Sequence, residues 1–246
     1  MIDKLTLTSI ISKYYLNGLV ESVRWDIKDK NLDIKFTAPS KEMIGHITYK
    51  NMPLEDSTIG ISSTSQLNKL IHITNGYIDL NYIKQNKILT KLIIADKQFT
   101  VNYALADLMI IPKAGEINGD ILFNVEAELD NESISAIVKA KTALAESETV
   151  VIKPTLNDDG EYQIEMEFGG NIEYANKVSF FIPNVTTNNV PANFKVYYNS
   201  NMIKEIMSCN KDMLSGKISI SLDGLMKLEF EGKDIKSTYY LVSKEI

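Results

Sequence analysis

The chain has one cysteine, Cys209, with two histidines, one tryptophan and six prolines in 246 residues. A lone thiol forms no internal disulfide and has no second thiolate with which to hold zinc, so redox and zinc–thiolate chemistry are set aside. Cys209 reads as a small residue near the core. His46 and His72 stand apart, neither with a partner at metal-ligand spacing, and His46, in an alternating segment, reads as an outward or hydrogen-bonded side chain. There is no glycine-rich phosphate loop, no Gly-x-Ser-x-Gly and no nucleophile beside a base. The carboxylate pair Asp158-Asp159 sits in a turn, where backbone geometry explains it. No enzyme, no metal and no cofactor is expected. Apolar runs fall short of the roughly 20 residues a membrane span needs. The start MIDKLTLTS lacks the basic flank and apolar stretch of a signal peptide, and the expectation is a cytoplasmic protein with no membrane partner.

What is present is ordinary globular chemistry, 44% hydrophobic and 24% charged. Most of the chain alternates apolar and polar residues with period two, as in Val23-Arg24-Trp25-Asp26-Ile27, Gly76 to Tyr82, Tyr162 to Phe168 and Lys217 to Leu222. Such segments are half-buried strands. Asp29-Lys30-Asn31, Asp158-Asp159-Gly160, Ser215-Gly216 and Asp223-Gly224 read as the turns between them.

Four stretches carry helical spacing instead: Leu7 to Asn17, Ser65 to Thr74, Asn131 to Leu144 behind the capping candidate Asp130, and Ser200 to Asn210. Their order repeats. Leu67 to Ile71 precedes strands ending in Leu92-Ile93-Ile94 and Tyr103-Ala104-Leu105, and Met202 to Ile206 precedes strands ending in Leu228-Glu229-Phe230 and Tyr239-Tyr240-Leu241. Ile11-Ser12-Lys13 corresponds likewise to Ile137-Val138-Lys139. A repeated order of elements argues for a duplicated α+β domain. The expected division is 1–108, a connector 109–120, and 121–246. The run Leu108-Met109-Ile110-Ile111 is unusually apolar for a connector; it is either covered by a partner or packed as ordinary core.

A net charge of −6 does not by itself favour nucleic acid, but the distribution is uneven. Generous helical windows, 7–19, 63–75, 131–145 and 199–211, hold Lys13, Lys69, Lys139, Lys141, Lys204 and Lys211 against Glu132 and Glu205, a net of +4 that leaves −10 for the rest. Lys69 and Lys204 lie opposite their apolar stripes, Lys139 faces outward, Lys13 roughly so, and Lys141 falls on the apolar face and snorkels. Lysines on a helix are commonly just a solvated face. Four such helices with almost no acid also describe a surface that faces a polyanion.

These residues, with Lys97 to Asp107 running into Ile111-Pro112 and the ending Leu228-Glu229-Phe230 … Tyr239-Tyr240-Leu241-Val242, resemble DNA sliding clamps, in particular the two-domain kind of tailed bacteriophages and proliferating cell nuclear antigen. The resemblance covers nearly the whole chain as an order of elements and rests on no single signature motif. It implies a duplicated clamp domain with antiparallel sheets outside and two helices per domain lining a ring, closed as a homotrimer. The partners it implies are encircled duplex DNA, a DNA polymerase and a clamp loader, in a bacterial host cytoplasm if the protein is phage-encoded. By the same resemblance Lys13, Lys69, His72, Lys139, Lys204 and Lys211 would face DNA. Ile44, Met109, Ile111, Pro112, Tyr240 and Val242 would form a pocket for partner peptides. Phe99, Val101 and Tyr103 would meet Ile172 and Tyr174 of the next subunit through edge strands, although Gly169-Gly170 is equally a simple bulge. The lining supplies about one lysine per helix, sparse for a clamp. The competing class is a β-rich structural or assembly module of a phage or bacterium that binds no DNA, and replacing Lys69 and Lys204 by glutamate separates the two.

Overall fold

Period-two segments form strands, and the four stretches of helical period form helices, in the computed structural model, which describes residues 1–86, 88–117, 119–169 and 176–245. The chain divides into two compact units, 1–116 with 233–237, and 117–232 with 238–246. In the first unit the order is β1 (Ile2–Asp3), α1 (Lys4–Tyr15), β2 (Val23–Lys28), β3 (Asn31–Thr37), β4 (Met43–Tyr49), β5 (Ser57–Ile61), α2 (Thr64–His72), β6 (Tyr77–Gln85), β7 (Ile88–Ala95) and β8 (Thr100–Ala104). Its sheets run β1-β6-β7-β8 and β4-β3-β2-β5, antiparallel throughout.

The second unit repeats this: β9 (Val125–Leu129), α3 (Asn131–Ala143), β10 (Thr149–Leu156), β11 (Tyr162–Phe168), β12 (Val178–Ile182), the two-residue β13 (Thr186–Thr187), β14 (Val196–Asn199), α4 (Ser200–Cys209), β15 (Ser215–Ile220), β16 (Leu225–Glu231) and β17 (Ile235–Val242). Its strands run β9-β15-β16-β17 and β12-β11-β10-β14, with β13 added beside β9. Apart from β13, each strand has the neighbours of its counterpart in the first unit. The duplication read from helix spacing is therefore a duplication of topology.

In each unit two helices pack side by side, α1 on α2 and α3 on α4. Caps fix where they start. The Asp3 carboxylate accepts from Thr6 N, so α1 begins three residues before the apolar stripe at Leu7. Asp130 accepts from Ser133 N, and Asn199 from Asn201 N and Met202 N. The α1 chain leaves through Leu16 and Asn17, both left-handed, one turn before the expected stop at Gly18.

The apolar stripes of α1 (Leu7, Ile10, Ile11, Tyr14) and α4 (Met202, Ile203, Ile206, Met207) are buried, as are alternate residues of the strands. Trp25 on β2 is fully buried, its ring edge-on to Tyr14 of α1 with centroids 6.4 Å apart, which ties helix to sheet. One expected turn is a strand instead. Ser215 and Gly216 open β15, and a Cβ at Gly216 would stand 3.1 Å from Leu129 and from the Phe230 ring. Glycine there permits close strand packing rather than a reversal of direction.

Candidate DNA-facing and partner-binding surfaces

The helix lysines divide by role. Lys69 on α2, Lys139 on α3 and Lys211 just beyond α4 are exposed, and so is His72, three residues after Lys69 at the end of α2. Lys204 is half-buried and paired with Glu205 at 2.8 Å, which cancels its charge locally.

Lys13 is placed differently from the expectation, with a relative exposure of 0%. Its Nζ lies 3.0 Å from Ser9 Oγ one turn earlier, and its position beside Tyr14 turns it into the packed flank of α1. It offers nothing to DNA. Two further lysines serve helix ends. Lys4 Nζ donates to His72 O and Thr74 O at the end of α2, and Lys141 Nζ to Leu144 O and Ala145 O at the end of α3, where unpaired carbonyls attract a cation. Burial lowers the Lys141 pKa, and Lys204 nearby lowers it further. The exposed positive charge of the helices thus reduces to α2, α3 and the end of α4. The solvent side of α1 instead offers Leu5, Thr8 and Ser12.

The segment expected to be the connector is tied down at its start residue by residue. Arg24 on β2 sends Nη2 to Leu108 O (2.6 Å) and Ile111 O (3.1 Å). Asp107 caps the same turn, its carboxylate accepting from Met109 N and its carbonyl from Ile110 N. Ile111 is buried, 2% exposed, beside Gly60, where a Cβ would stand 3.1 Å from it and 2.6 Å from Ala106 O. Ile111 therefore anchors this segment, and with Met109, Ile110 and Pro112 it lines an open concavity there. Met109 and Ile110 are exposed, at 91% and 68%, and Pro112 is exposed after them. Further along, Gly115 N donates to Thr37 Oγ1, and a Cβ on Gly115 would lie 3.1 Å from Ile44 Cδ1, so the half-buried Ile44 does underlie the connector.

In the second unit Tyr240 is half-buried and Val242 exposed, on the face of β17 opposite the buried Tyr239 and Leu241. Ser243 N donates to Gly224 O, and Leu222 N to Asn124 Oδ1, so the 222–224 turn stands beside Val242 and exposes Leu222. Leu222 is a surface residue that sequence reading missed, because Asp223-Gly224 identifies a turn but not what lies next to it.

Among the strands that end their sheets are β8 and β12, each paired on one side only among the described residues. Val101 and Tyr103 point into the core of the first unit, so any pairing there would use the β8 backbone with Thr100, Asn102 and Ala104 outward. Phe99, 41% exposed, stands at the head of β8. It is held by Asp96, whose carboxylate accepts from the amides of Phe99, Gln98 and Asn75. Those amides keep the Asp96 pKa below the usual carboxylate range, the Phe99 amide first. Ile172 and Tyr174 lie outside the described residues. The strand that follows in sequence, β12, ends its sheet, and on it Phe181 is 45% exposed.

Among the described residues no three His, Cys, Asp or Glu side chains converge as metal ligands, and no helix is long and apolar enough to cross a membrane. A duplicated unit of two helices over two antiparallel sheets defines the sliding-clamp fold. The chain has that fold from end to end. It superimposes on the proliferating cellular nuclear antigen of Entamoeba histolytica with a TM-score of 0.76 and 14% identity, covering 99% of this chain and 96% of that one. It matches A. fulgidus PCNA, solved with the C-terminal region of FEN-1 bound, with a TM-score of 0.76 and 16% identity over 100% and 97% of the two chains. No protein-family model and no curated protein sequence matches it.

Proposed function

We propose that the protein is a sliding clamp, a non-enzymatic ring of three copies that encircles duplex DNA and tethers a DNA polymerase. The observation that carries this reading is the clamp fold over the whole chain, present twice. Two repeats per chain make six in a trimer, and the unpaired β8 and β12 are a head-to-tail pair of edges suited to closing such a ring. Phe99 and Phe181 would be covered on closure.

Lys69, His72, Lys139 and Lys211 are then the DNA side. Few cations, each on a mobile side chain, give the weak phosphate contact that permits sliding. The residues 1–108 and 121–246 are the two clamp domains and 109–120 their connector. Ile44, Met109, Pro112, Tyr240 and Val242 are the partner-peptide surface, with Leu222 added. The bound FEN-1 region of the A. fulgidus structure shows that a protein of this fold takes such a segment. A clamp loader and a cytoplasmic setting follow from the same reading.

Topology is testable without a polymerase. The protein is incubated with a linear duplex biotinylated at both ends, streptavidin is added, and retention is compared with that on the unblocked duplex. A ring stays on blocked DNA through a high-salt wash and runs off open DNA. Equal retention on both would contradict encirclement.

A further inference from the structure

The link from α2 to β6 carries the pair Asn75-Gly76, both residues exposed. Its flanks are held: Asn75 N donates to Asp96 Oδ2 at 2.7 Å, and Gly76 O accepts from Lys4 N at 2.9 Å. The peptide plane between the two is not. Among the described residues neither Asn75 O nor Gly76 N has a hydrogen-bond partner, and the Asn75 side chain has none either. Gly76 sits at φ +61, and a Cβ there would meet nothing within 4 Å, so the plane can turn and a ring can close beside it. The pair Asn17-Gly18 has the same composition in a different hold. Asn17 lies inside the short turn Leu16–Gly18, closed by Leu19 N on Leu16 O, with φ 55 and ψ 36. That ψ turns Gly18 N to the far side of Cα from the Asn17 side chain. In the third pair, Asn118-Gly119, the asparagine lies outside the described residues.

We propose that Asn75 is a modification site, where the folded protein deamidates itself and places a new carboxylate at the end of α2. Gly76 N attacks Asn75 Cγ; the new C–N bond closes a five-membered imide, the Cγ–Nδ2 bond breaks, and the Gly76 amide proton leaves with the departing ammonia. Water then opens the imide at one of its two carbonyls, giving aspartate, or isoaspartate with the backbone running through Cγ. Water is the only co-reactant, and nothing is oxidised or reduced. Either product takes the chain from −6 to −7. The charge falls at a helix C-terminus, where the dipole opposes it, and beside Asp96, whose own pKa is held below the usual range and which is therefore ionised at neutral pH. Isoaspartate also shifts Gly76 O relative to Asn75 N, the two atoms that Lys4 and Asp96 hold. The site needs neither ring closure nor DNA, and so stands or falls apart from the clamp reading.

The test is incubation of the intact protein in warm, mildly alkaline buffer, with samples digested by trypsin and read by mass spectrometry with fragmentation that separates aspartate from isoaspartate. Peptides 70–84 and 14–24 carry the two pairs separately. Asn75 is expected to convert roughly tenfold or more faster than Asn17, because Asn17 must first open its turn. In urea the two rates should become similar, since the difference belongs to the fold. Asn75→Gln, a change at an exposed side chain without a partner, should leave peptide 70–84 unconverted. Asn75→Asp, which carries the product charge without the longer backbone, should raise amide hydrogen exchange across 73–77. Conversion at Asn75 no faster than at Asn17, a rate ratio that persists in urea, or unchanged exchange in Asn75→Asp would each overturn the proposal.

Discussion

Changing Lys69, Lys139 and Lys211 together to glutamate is expected to weaken binding to open duplex DNA at moderate salt, read by fluorescence anisotropy, while leaving the mass of the assembly unchanged. The three side chains are exposed on or just beyond α2, α3 and α4, and the substitution takes each chain from −6 to −12. Phosphate contact is an ionic, salt-dependent term that grows with each cation engaged, so removing three per chain and adding repulsion lowers affinity by roughly tenfold or more at moderate salt. The same change to Lys13 tests something else. A glutamate there is forced into a packed flank of α1, and the expected result is loss of the fold rather than loss of DNA contact. Affinity unchanged in the triple variant would mean that the helices do not face DNA.

The largest effect on stability is expected at Trp25. Its side chain is fully buried and stacks edge-on against Tyr14, so Trp25→Ala empties a large volume at the junction of β2 and α1. A cost of about 3–5 kcal/mol is expected, a large share of the ~5–15 kcal/mol that holds a domain together. Burial raises the Tyr14 pKa, and that hydroxyl would stand beside the new cavity. Urea unfolding followed by circular dichroism should show an early transition for the first unit, with the second unit unfolding near its original midpoint. Trp25→Phe should recover much of the loss, since it keeps an aromatic edge against Tyr14. A shift below about 1 kcal/mol for the alanine variant would contradict the packing described.

Much of this fold was legible in the sequence because its signals are local. Period two over Tyr162 to Phe168 became β11 over the same residues, and the four helical stretches became four helices at nearly the expected bounds. The order of elements read twice along the chain became two sets of strands with the same neighbours. The failures share a cause, which is that burial is decided by what packs against an element. Lys13 lies at the flank of the α1 stripe, and only the neighbouring structure settles whether a flank is wet. Ser215-Gly216 has the composition of a turn, but Gly216 is small because Leu129 and Phe230 crowd it. Ile111 and Met109 read alike in an apolar connector, yet Arg24 and Gly60 bury the first and leave the second in water. On β8 the expectation took Val101 and Tyr103 as outward contacts, yet both are buried, apolar for the sake of the core.

Absolute mass in dilute solution, by light scattering after size exclusion at two protein concentrations, tests the central claim most directly. A closed ring predicts a species near three times 27.7 kDa at both concentrations. A stable species of 27.7 kDa at both would contradict it, and the duplicated fold would then serve a structural module that does not encircle DNA.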